Sequence, residues 1–455
     1  MTHSNQYETP SMIRSFEIRN FKSILDLRID LTFNEGKAPP RTSESETLPF
    51  LETGDAKINR YTPVLAIYGA NASGKSNLVE AFQCFCTLLR QGVANNLYKP
   101  NKLNRKYNSC TFKITLEIKK RRLVYEMVYD ANRILLEALS EQSASAQRPP
   151  KTLFRIENGG PEPEIDVDAV AIAAYPAQRL KEAVRVECSN ADGNMTRPFL
   201  WCLVRSFGGL FPLASDVWKE IQERLHIFNR NEFFLSQGVD LLAGSDSDEE
   251  RNKAIEKIVV LLKKFDFGIQ NISLSRQHLP KADFKLPREG GDFLPAEGCI
   301  YKDDEKTILV DEFTSRHLDT NGQLVPFKFM LEESDGTKVI AGLLGIALWA
   351  LENGKTIIID ELDRSLHPFV LISLIRLFKS RRYNQSNAQI IFTLHDPTLL
   401  DEHHMRISEV AIVNKTLKGG TTCKRICDFE GARNVSNFRK QYLEGVFSGI
   451  PYPYI

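Results

Sequence analysis

Residues 64–82 read VLAIYGANASGKSNLVEAF. An apolar run, Val64 to Tyr68, stops at a loop bounded by Gly69 and Gly74, and from Lys75 to Leu89 apolar residues recur at helical spacing. Gly69 to Ser76 fits the G-x-x-x-x-G-K-[ST] pattern of a phosphate-holding loop. The chemistry asks for these residue types. Glycines let the backbone turn so that successive N–H groups face one set of phosphate oxygens. The helix N-terminus behind them adds partial positive charge. Lys75 would reach the β- and γ-phosphates of ATP, and the Ser76 hydroxyl would hold Mg²⁺. The candidate nucleotide contacts are Gly69, Asn71, Ser73, Gly74, Lys75, Ser76 and Asn77. The plain alternative is a glycine turn with no ligand; the strand before it and the helix after it weigh against that.

Such a loop needs a carboxylate for the metal, and KTIIIDELDRSLHP (355–368) supplies one. Ile357 to Ile359 read as a buried strand with Asp360 at its C-terminal end, the edge where ligands of parallel sheets bind. Asp360 would hold Mg²⁺ through water, and Glu361 would act as base on the attacking water. IIFTLHDPTLL (390–400) is a second buried strand with His395 at its end, one strand-helix-strand unit further on and placed to sense a γ-phosphate. LEESDGTKVIAGLLGIALWAL (331–351) opens with the helix-start residues Ser334, Asp335 and Thr337, and Gly336 allows close backbone approach. The helix behind is apolar on most faces and therefore buried. Its start is a second anion site. Two such sites with one phosphate loop imply a head-to-tail pair, with Ser334 to Thr337 of one subunit closing over the ATP held by the other. An ordinary capped helix fits the same spacing.

The 455 residues are 42% hydrophobic and 26% charged, with a formal net charge of +1. This is the make-up of a globular protein with room for two or three domains. So small a charge argues against a basic coat for nucleic acid. No apolar run approaches the roughly 18 residues of a membrane span. The polar start MTHSNQYETPS lacks the apolar stretch of a signal peptide. The eight cysteines form neither a paired C-x-x-C pattern nor a dense disulfide framework, so reduced thiols in a cytoplasmic protein are expected.

Elsewhere, Ser15–Leu31 alternates as two short strands around a turn, Asn34–Arg60 reads as an exposed loop, and Cys110–Tyr129 reads as a hairpin. From about Asp166 to Phe267 helical patterns dominate, clearest in SDVWKEIQERLHIF (215–228) and EERNKAIEKIVVLLKKFDF (249–267), with the acidic GSDSDEE (244–250) as a helix start. Strand patterns return near Ile300. Then come a helix (about Lys338 to Leu351), the strand Thr356–Ile359, a helix (about Pro368 to Lys379) and the strand Gln389–Leu394. That alternation implies an α/β fold with a parallel core sheet covered on both faces. The expected division is an N-terminal lobe (1–160), an inserted helical subdomain (161–270) and a C-terminal lobe (271–455).

FEIRNFKSI (16–24), GANASGKS (69–76), ESDGT (333–337), IIIDELDRSLHP (357–368) and FTLHD (392–396) together resemble the ABC-type ATPase head of the SMC and RecF group. More narrowly, the chain looks like the bacterial RloA-type anti-phage ATPases, relatives of the AriA subunit of the PARIS defence system. The tail DFEGARNVSNFRKQYLEGVFSGIPY (428–452) carries that narrower match through Tyr442, Leu443, Gly445, Gly449 and Pro451, although VFS replaces the more usual basic-tyrosine-glycine step. The resemblance implies an ABC-type P-loop ATPase head with N-terminal antiparallel strands. It implies that Ser334 and Gly336 act on the partner's nucleotide, that Asp363 lies in a loop at the dimer interface, that His395 is the switch histidine, and that Arg19 and Lys22 lie near the nucleotide. Gln83, inside the helix after the phosphate loop, is a poor match for the family's glutamine loop. The middle region is too short for the SMC coiled coil and would form a compact lever or lid.

The reading that follows is an ATP-hydrolysing switch subunit of a bacterial defence system, a homodimer or higher homo-oligomer built on shared ATP sites. The roughly 60 residues after His395 leave no room for a TOPRIM nuclease, so the effector is expected to be another polypeptide, a nuclease of that type. The alternative is a RecF-like repair ATPase that binds DNA directly, for which KKRR (119–122) and KSRR (379–382) are the obvious basic runs. A small-molecule transporter ATPase is a third class, disfavoured by the long insert.

Overall fold

The computed structural model describes residues 11–32, 61–103, 107–143, 149–171, 175–228, 235–245, 247–280, 299–303, 307–401, 404–416, 420–430 and 437–450. The expected loop over Asn34–Arg60 and the tail residue Pro451 lie outside them. The chain divides into two compact units: Met1–Ile227, Gly354–Leu362 and Leu377–Ile455 form the first, and Phe228–Asn353 and Asp363–Arg376 the second. Residues 161–227 of the expected insertion lie in the first unit and 228–270 in the second.

The first unit is a mixed α/β structure on a large sheet. Its strands in chain order are β1 (Met12–Phe21), β2 (Ile24–Asp30), β3 (Val64–Tyr68), β4 (Cys110–Ile118), β5 (Arg121–Tyr129), β6 (Ile134–Gln142), β7 (Lys151–Glu157), β8 (Glu164–Ile165) and β9 (Leu225–Phe228). After the strands of the second unit come β14 (Thr356–Ile359), β15 (Gln389–Thr393), β16 (Val410–Lys415) and β17 (Thr421–Arg425). Among the described residues the sheet order is β8-β7-β6-β5-β4-β1-β2-β17-β16-β3-β15-β14-β9. The core is parallel from β14 through β15 and β3 to β16, and one pair of residues joins β17 to β2 in parallel. From β2 through β1 and β4 out to β8 the pairing is antiparallel. The reason is visible in the residues. β3, β14 and β15 are short and buried at every position, as strands covered on both faces must be. β5 alternates between buried and half-buried positions, as an antiparallel strand with one dry face does.

The helix after the phosphate loop, α1 (Lys75–Gln91), packs its Leu78, Phe82 and Phe85 face into the core. Phe82 stacks on Phe16 of β1 with ring centroids 4.1 Å apart, and Phe16 lies 5.8 Å from Phe112 of β4. Those rings set the height of the helix start above the sheet. Among the described residues, four short helices follow in the first unit: α2 (Val167–Val170), α3 (Ala177–Val186), α4 (Phe199–Ser206) and α5 (Pro212–Lys219). Beyond α5 the helical pattern expected through Phe228 ends at Arg224, and Leu225–Phe228 leaves as the edge strand β9.

The second unit carries α6 (Leu235–Ala243), α7 (Asp248–Lys264), the strands β10 (Asn271–Pro280), β11 (Cys299–Asp303), β12 (Thr307–Leu318) and β13 (Leu324–Lys328), and the helices α8 (Phe329–Glu332) and α9 (Asp335–Asn353). Helix α7 begins where GSDSDEE suggested, with Asp248, Glu249 and Glu250 in its first turn. α6 and α9 cross at glycines: a Cβ on Gly345 would stand 2.6 Å from the Gly238 Cα. Buried Arg251 of α7 bonds both Asp240 and Asp311, and Asp311 also takes Arg276 at 2.8 Å. Helix α10 (Pro368–Lys379) runs from the second unit into the first, and α11 (Phe438–Leu443) belongs to the first. The Tyr442 ring of α11 stands 5.9 Å from Tyr68 at the end of β3, and its hydroxyl donates to the Gly449 carbonyl.

Candidate functional site

β3 ends between two parallel neighbours, so the phosphate loop leaves the sheet at its C-terminal edge. Within the loop Ala72 has φ 60° and Gly74 φ 111°. A Cβ on Gly74 would stand 2.4 Å from Thr421 Oγ1 and 2.9 Å from Ser23 Oγ, so both conformation and space require glycine there. Lys75 is 5% exposed, and its ammonium donates to the carbonyl oxygens of Gly69 (2.6 Å) and Ala70 (3.2 Å). Ser73 Oγ is buried and has no hydrogen-bond partner among the described residues. Asn71 and Ser76 are exposed. A buried cation, an orphaned buried hydroxyl and a turn open only to glycine fit an anionic phosphate.

Asp360 and Thr393 continue the register in which Ile359 faces Phe392 and Thr393 faces Ile67. Asp360 therefore lies two strand spacings from β3, about 10 Å, on the same edge. The Thr393 hydroxyl ties the acidic pair together: it donates to Asp360 Oδ1 at 2.5 Å and accepts from the Glu361 N–H at 2.7 Å. Glu361 has φ 52°, a left-handed conformation at the point where the chain turns out of the strand. Its Oε1 stands 3.8 Å from His395 Nε2. Ser76 and Asp360 could hold Mg²⁺ with water and phosphate oxygens completing the shell. Among the described residues no group of three His, Cys, Asp or Glu side chains could hold a metal ion.

The structure thus brings Gly69–Asn77, Asp360, Glu361 and His395 to one sheet edge. Arg19 and Lys22 are each paired with a carboxylate. Lys22 bonds Glu80 of α1, and Arg19 pairs with Asp26 across the exposed hairpin at 3.3 Å. The residue of that stretch which reaches the loop is Ser23: its hydroxyl accepts from the Asn77 amide at 2.7 Å and contacts Thr421 Oγ1 at 2.7 Å.

Ser334, Gly336, Thr337 and Asp363 lie in the second unit. Ser334 Oγ accepts from the Thr337 N–H at 3.2 Å and lies 2.7 Å from the Thr337 hydroxyl, so it caps α9. Gly336 faces the loop after Asp363, where an added Cβ would stand 3.0 Å from the Ser365 carbonyl oxygen. Just before the cap, Glu333 accepts from Ser315 Oγ at 2.5 Å and meets His317 Nε2 at 2.6 Å. Thr393, Thr421, Ser23 and this Glu333 anchor escaped the sequence reading, because each acts through a partner distant in sequence.

Residues 209–401 match a family model described as "AAA domain, putative AbiEii toxin, Type IV TA system". The match spans less than half of the chain; it takes in Ser334, Asp360, Glu361, Asp363 and His395 and leaves out the phosphate loop. No curated protein matches the sequence. Among solved structures the chain is similar to the SMC head domain from Thermotoga maritima, at 12% identity over 91% of this chain and 98% of that one, with a TM-score of 0.40. It is also similar to the recombination mediator protein RecF bound to ATP, at 14% identity over 93% of this chain and 100% of that one, with a TM-score of 0.34. Likenesses at these scores carry no weight for function.

Proposed function

We propose that this chain is an ATP-hydrolysing switch subunit of a bacterial anti-phage defence system, which pairs around ATP and controls a separate effector, a TOPRIM-type nuclease. The observation that supports hydrolysis is the Thr393 bridge, which fixes Asp360 and Glu361 side by side on the sheet edge that carries the phosphate loop. Lys75 Nζ neutralises the β- and γ-phosphate oxygens, and Ser73 Oγ together with the loop N–H groups hold them. Ser76 Oγ and, through water, Asp360 would hold Mg²⁺, and the ion would supply positive charge to the phosphates. Glu361 takes a proton from the attacking water, and His395 beside it senses the γ-phosphate. The products are ADP and phosphate.

The second half of each site comes from the partner copy. Ser334, Gly336 and Thr337 close over its loop, and Asp363 lies at the interface. Residues 161–270 act as the lever or lid between the lobes 1–160 and 271–455. The RecF-like alternative needs positive charge to spare. In the basic runs Lys119 bonds Asp216, Arg121 bonds Glu141, Arg122 bonds Glu117 and Lys379 bonds Glu409. Such pairing lowers the charge that these four offer to phosphates, while Lys120, Arg381 and Arg382 of the same runs are exposed. The test follows ATP turnover by the purified chain with Mg²⁺, DNA affinity at two salt concentrations, and capture of a nuclease encoded in the adjacent gene. ATP-dependent capture supports the switch; steeply salt-dependent DNA binding without capture favours the repair reading.

A further inference from the structure

We propose that Thr421, 348 residues beyond Ser73, is a positioning residue that presets the phosphate loop for its ligand. The inference rests on the reading that the loop binds nucleotide phosphate, and it assigns part of that binding to the C-terminal hairpin β16–β17. Thr421 is 1% exposed. Its Oγ1 donates to the Ser73 carbonyl at 2.9 Å and lies 2.7 Å from Ser23 Oγ, which accepts from Asn77 Nδ2 at 2.7 Å. A hydroxyl has one proton. Thr421 commits its proton to the Ser73 carbonyl, so Ser23 must donate to Thr421. The bonds therefore run in one direction, from the Asn77 amide through two hydroxyls to the Ser73 carbonyl, and each proton has one acceptor. Thr421 is itself held by the sheet. Its N–H donates to the Ser23 carbonyl at 2.8 Å, and it stands opposite Ile24 in the β2–β17 pairing.

The consequence falls on one peptide group. The Ser73–Gly74 bond is trans, so its C=O and N–H point in opposite directions. With the carbonyl drawn to Thr421, the Gly74 N–H is turned to the side away from Thr421, and the φ of 111° at Gly74 completes the turn. Remove the hydroxyl and a buried carbonyl loses its partner. Rotation of that peptide is the natural relief, and it swings away an N–H that the loop needs for phosphate. The hydroxyl thus meets the cost of ordering the loop before the ligand arrives.

The test uses the full chain and a fluorescent ATP analogue with Mg²⁺, comparing the wild type with Thr421→Val and Thr421→Ser. Thr421→Val keeps shape and loses the hydroxyl, and the expected result is a Kd about tenfold higher, the worth of one buried hydrogen bond. Thr421→Ser restores the hydroxyl and should bring the Kd back to within about twofold of the wild type. The same split should appear as a raised KM with kcat less affected. A Thr421→Val chain that binds like the wild type overturns the inference and leaves the phosphate reading standing. So does an equal loss in both variants, which would point to packing. A wild-type chain that binds no nucleotide overturns both. Should Thr421→Val fail to fold, Thr421→Cys, with its weak S–H donor, takes its place with the same outcomes.

Discussion

Helices α1 and α9 both start with a glycine beside hydroxyl residues, yet their first turns are finished differently. At α1, Gly74 stands at the cap position and has no side chain with which to cap the first turn. Beside it are the buried Lys75 ammonium and the orphaned Ser73 hydroxyl. At α9, Ser334 spends its hydroxyl on the Thr337 N–H, and the Asp335 side chain is 92% exposed. A third start, that of α4, is already filled: buried Glu137 accepts from the N–H groups of Phe199 (2.5 Å) and Leu200 (2.9 Å). The three show what an anion at a helix start requires, namely donors, dry surroundings and a countercharge or further hydrogen bonds. α1 has all of these. α9 has a capped, half-exposed start whose first-turn cation, Lys338, lies 3.6 Å from Asp335.

The largest effects are expected at α1. Lys75→Ala removes the buried cation and should cut ATP binding or hydrolysis by about two orders of magnitude or more. Near-normal turnover would erase the contrast with α9. Glu361→Gln keeps the shape of the acidic pair while removing the proposed base, and should slow hydrolysis by about 10²–10⁴-fold. ATP should then be retained and the pair trapped. Light scattering that shows no gain in mass, alongside measured ATP retention, would count against closure around ATP.

Gly336→Arg addresses α9. It should leave nucleotide binding by the single subunit nearly intact, since Gly69 to Ser76 are unchanged, and abolish hydrolysis. Gly336 lies against the Ser365 carbonyl, so the new side chain also presses on the loop after Asp363. Mixed in equal amounts with Lys75→Ala, half of the pairs are hybrids and each has one undamaged site, so turnover should return to about a quarter of the wild type. If subunits exchange and the mixture stays inactive, a covalently linked pair with one wild-type site, followed through a single turnover, decides between unshared sites and a need for both.

What the sequence revealed and what it concealed divide along the same line. The phosphate loop, Asp360, Glu361 and His395 were legible because each is a few contiguous residues leaving a buried apolar run. β3, β14, β15 and α9 were legible for the same reason. Ile134–Gln142 was not: ILLEALSEQ is built from good helix formers and becomes β6 only because β5 and β7 pair with it. Leu225–Phe228 likewise continues a helical pattern and is taken over by the sheet edge. Thr393 and Thr421 leave no local signal at all, since a threonine at a strand end becomes meaningful only through the carboxylate or carbonyl that folding brings to it.

The smallest expected effect uses α4 as the internal reference for an occupied helix start. Burial pushes the Glu137 carboxyl up from 4.5 to about 7, against the pull of the Leu200 and Phe199 N–H groups and the Tyr125 hydroxyl, which donates at 2.8 Å. Between about pH 4.5 and 7 the folded chain therefore holds a proton that the unfolded chain has released. Folding is favoured at the acid end of that window and loses stability as pH rises through it, by about 1.4 kcal/mol per pH unit at most. Glu137→Gln removes the titration and keeps an acceptor for one of the two N–H groups, since Phe199 and Leu200 bond different oxygens; the lost bond is an offset that does not change with pH. The difference in unfolding midpoint between variant and wild type should then change between pH 5 and pH 7.5 and stay level above, with the wild type losing more as pH rises. Since the start of α4 is filled by the chain's own carboxyl group, the difference should be the same with and without ATP, whereas Lys75→Ala should abolish any stabilisation that ATP gives. Parallel pH curves for the two chains would remove Glu137 as a titrating anion. They would leave α1 to be judged without an internal reference.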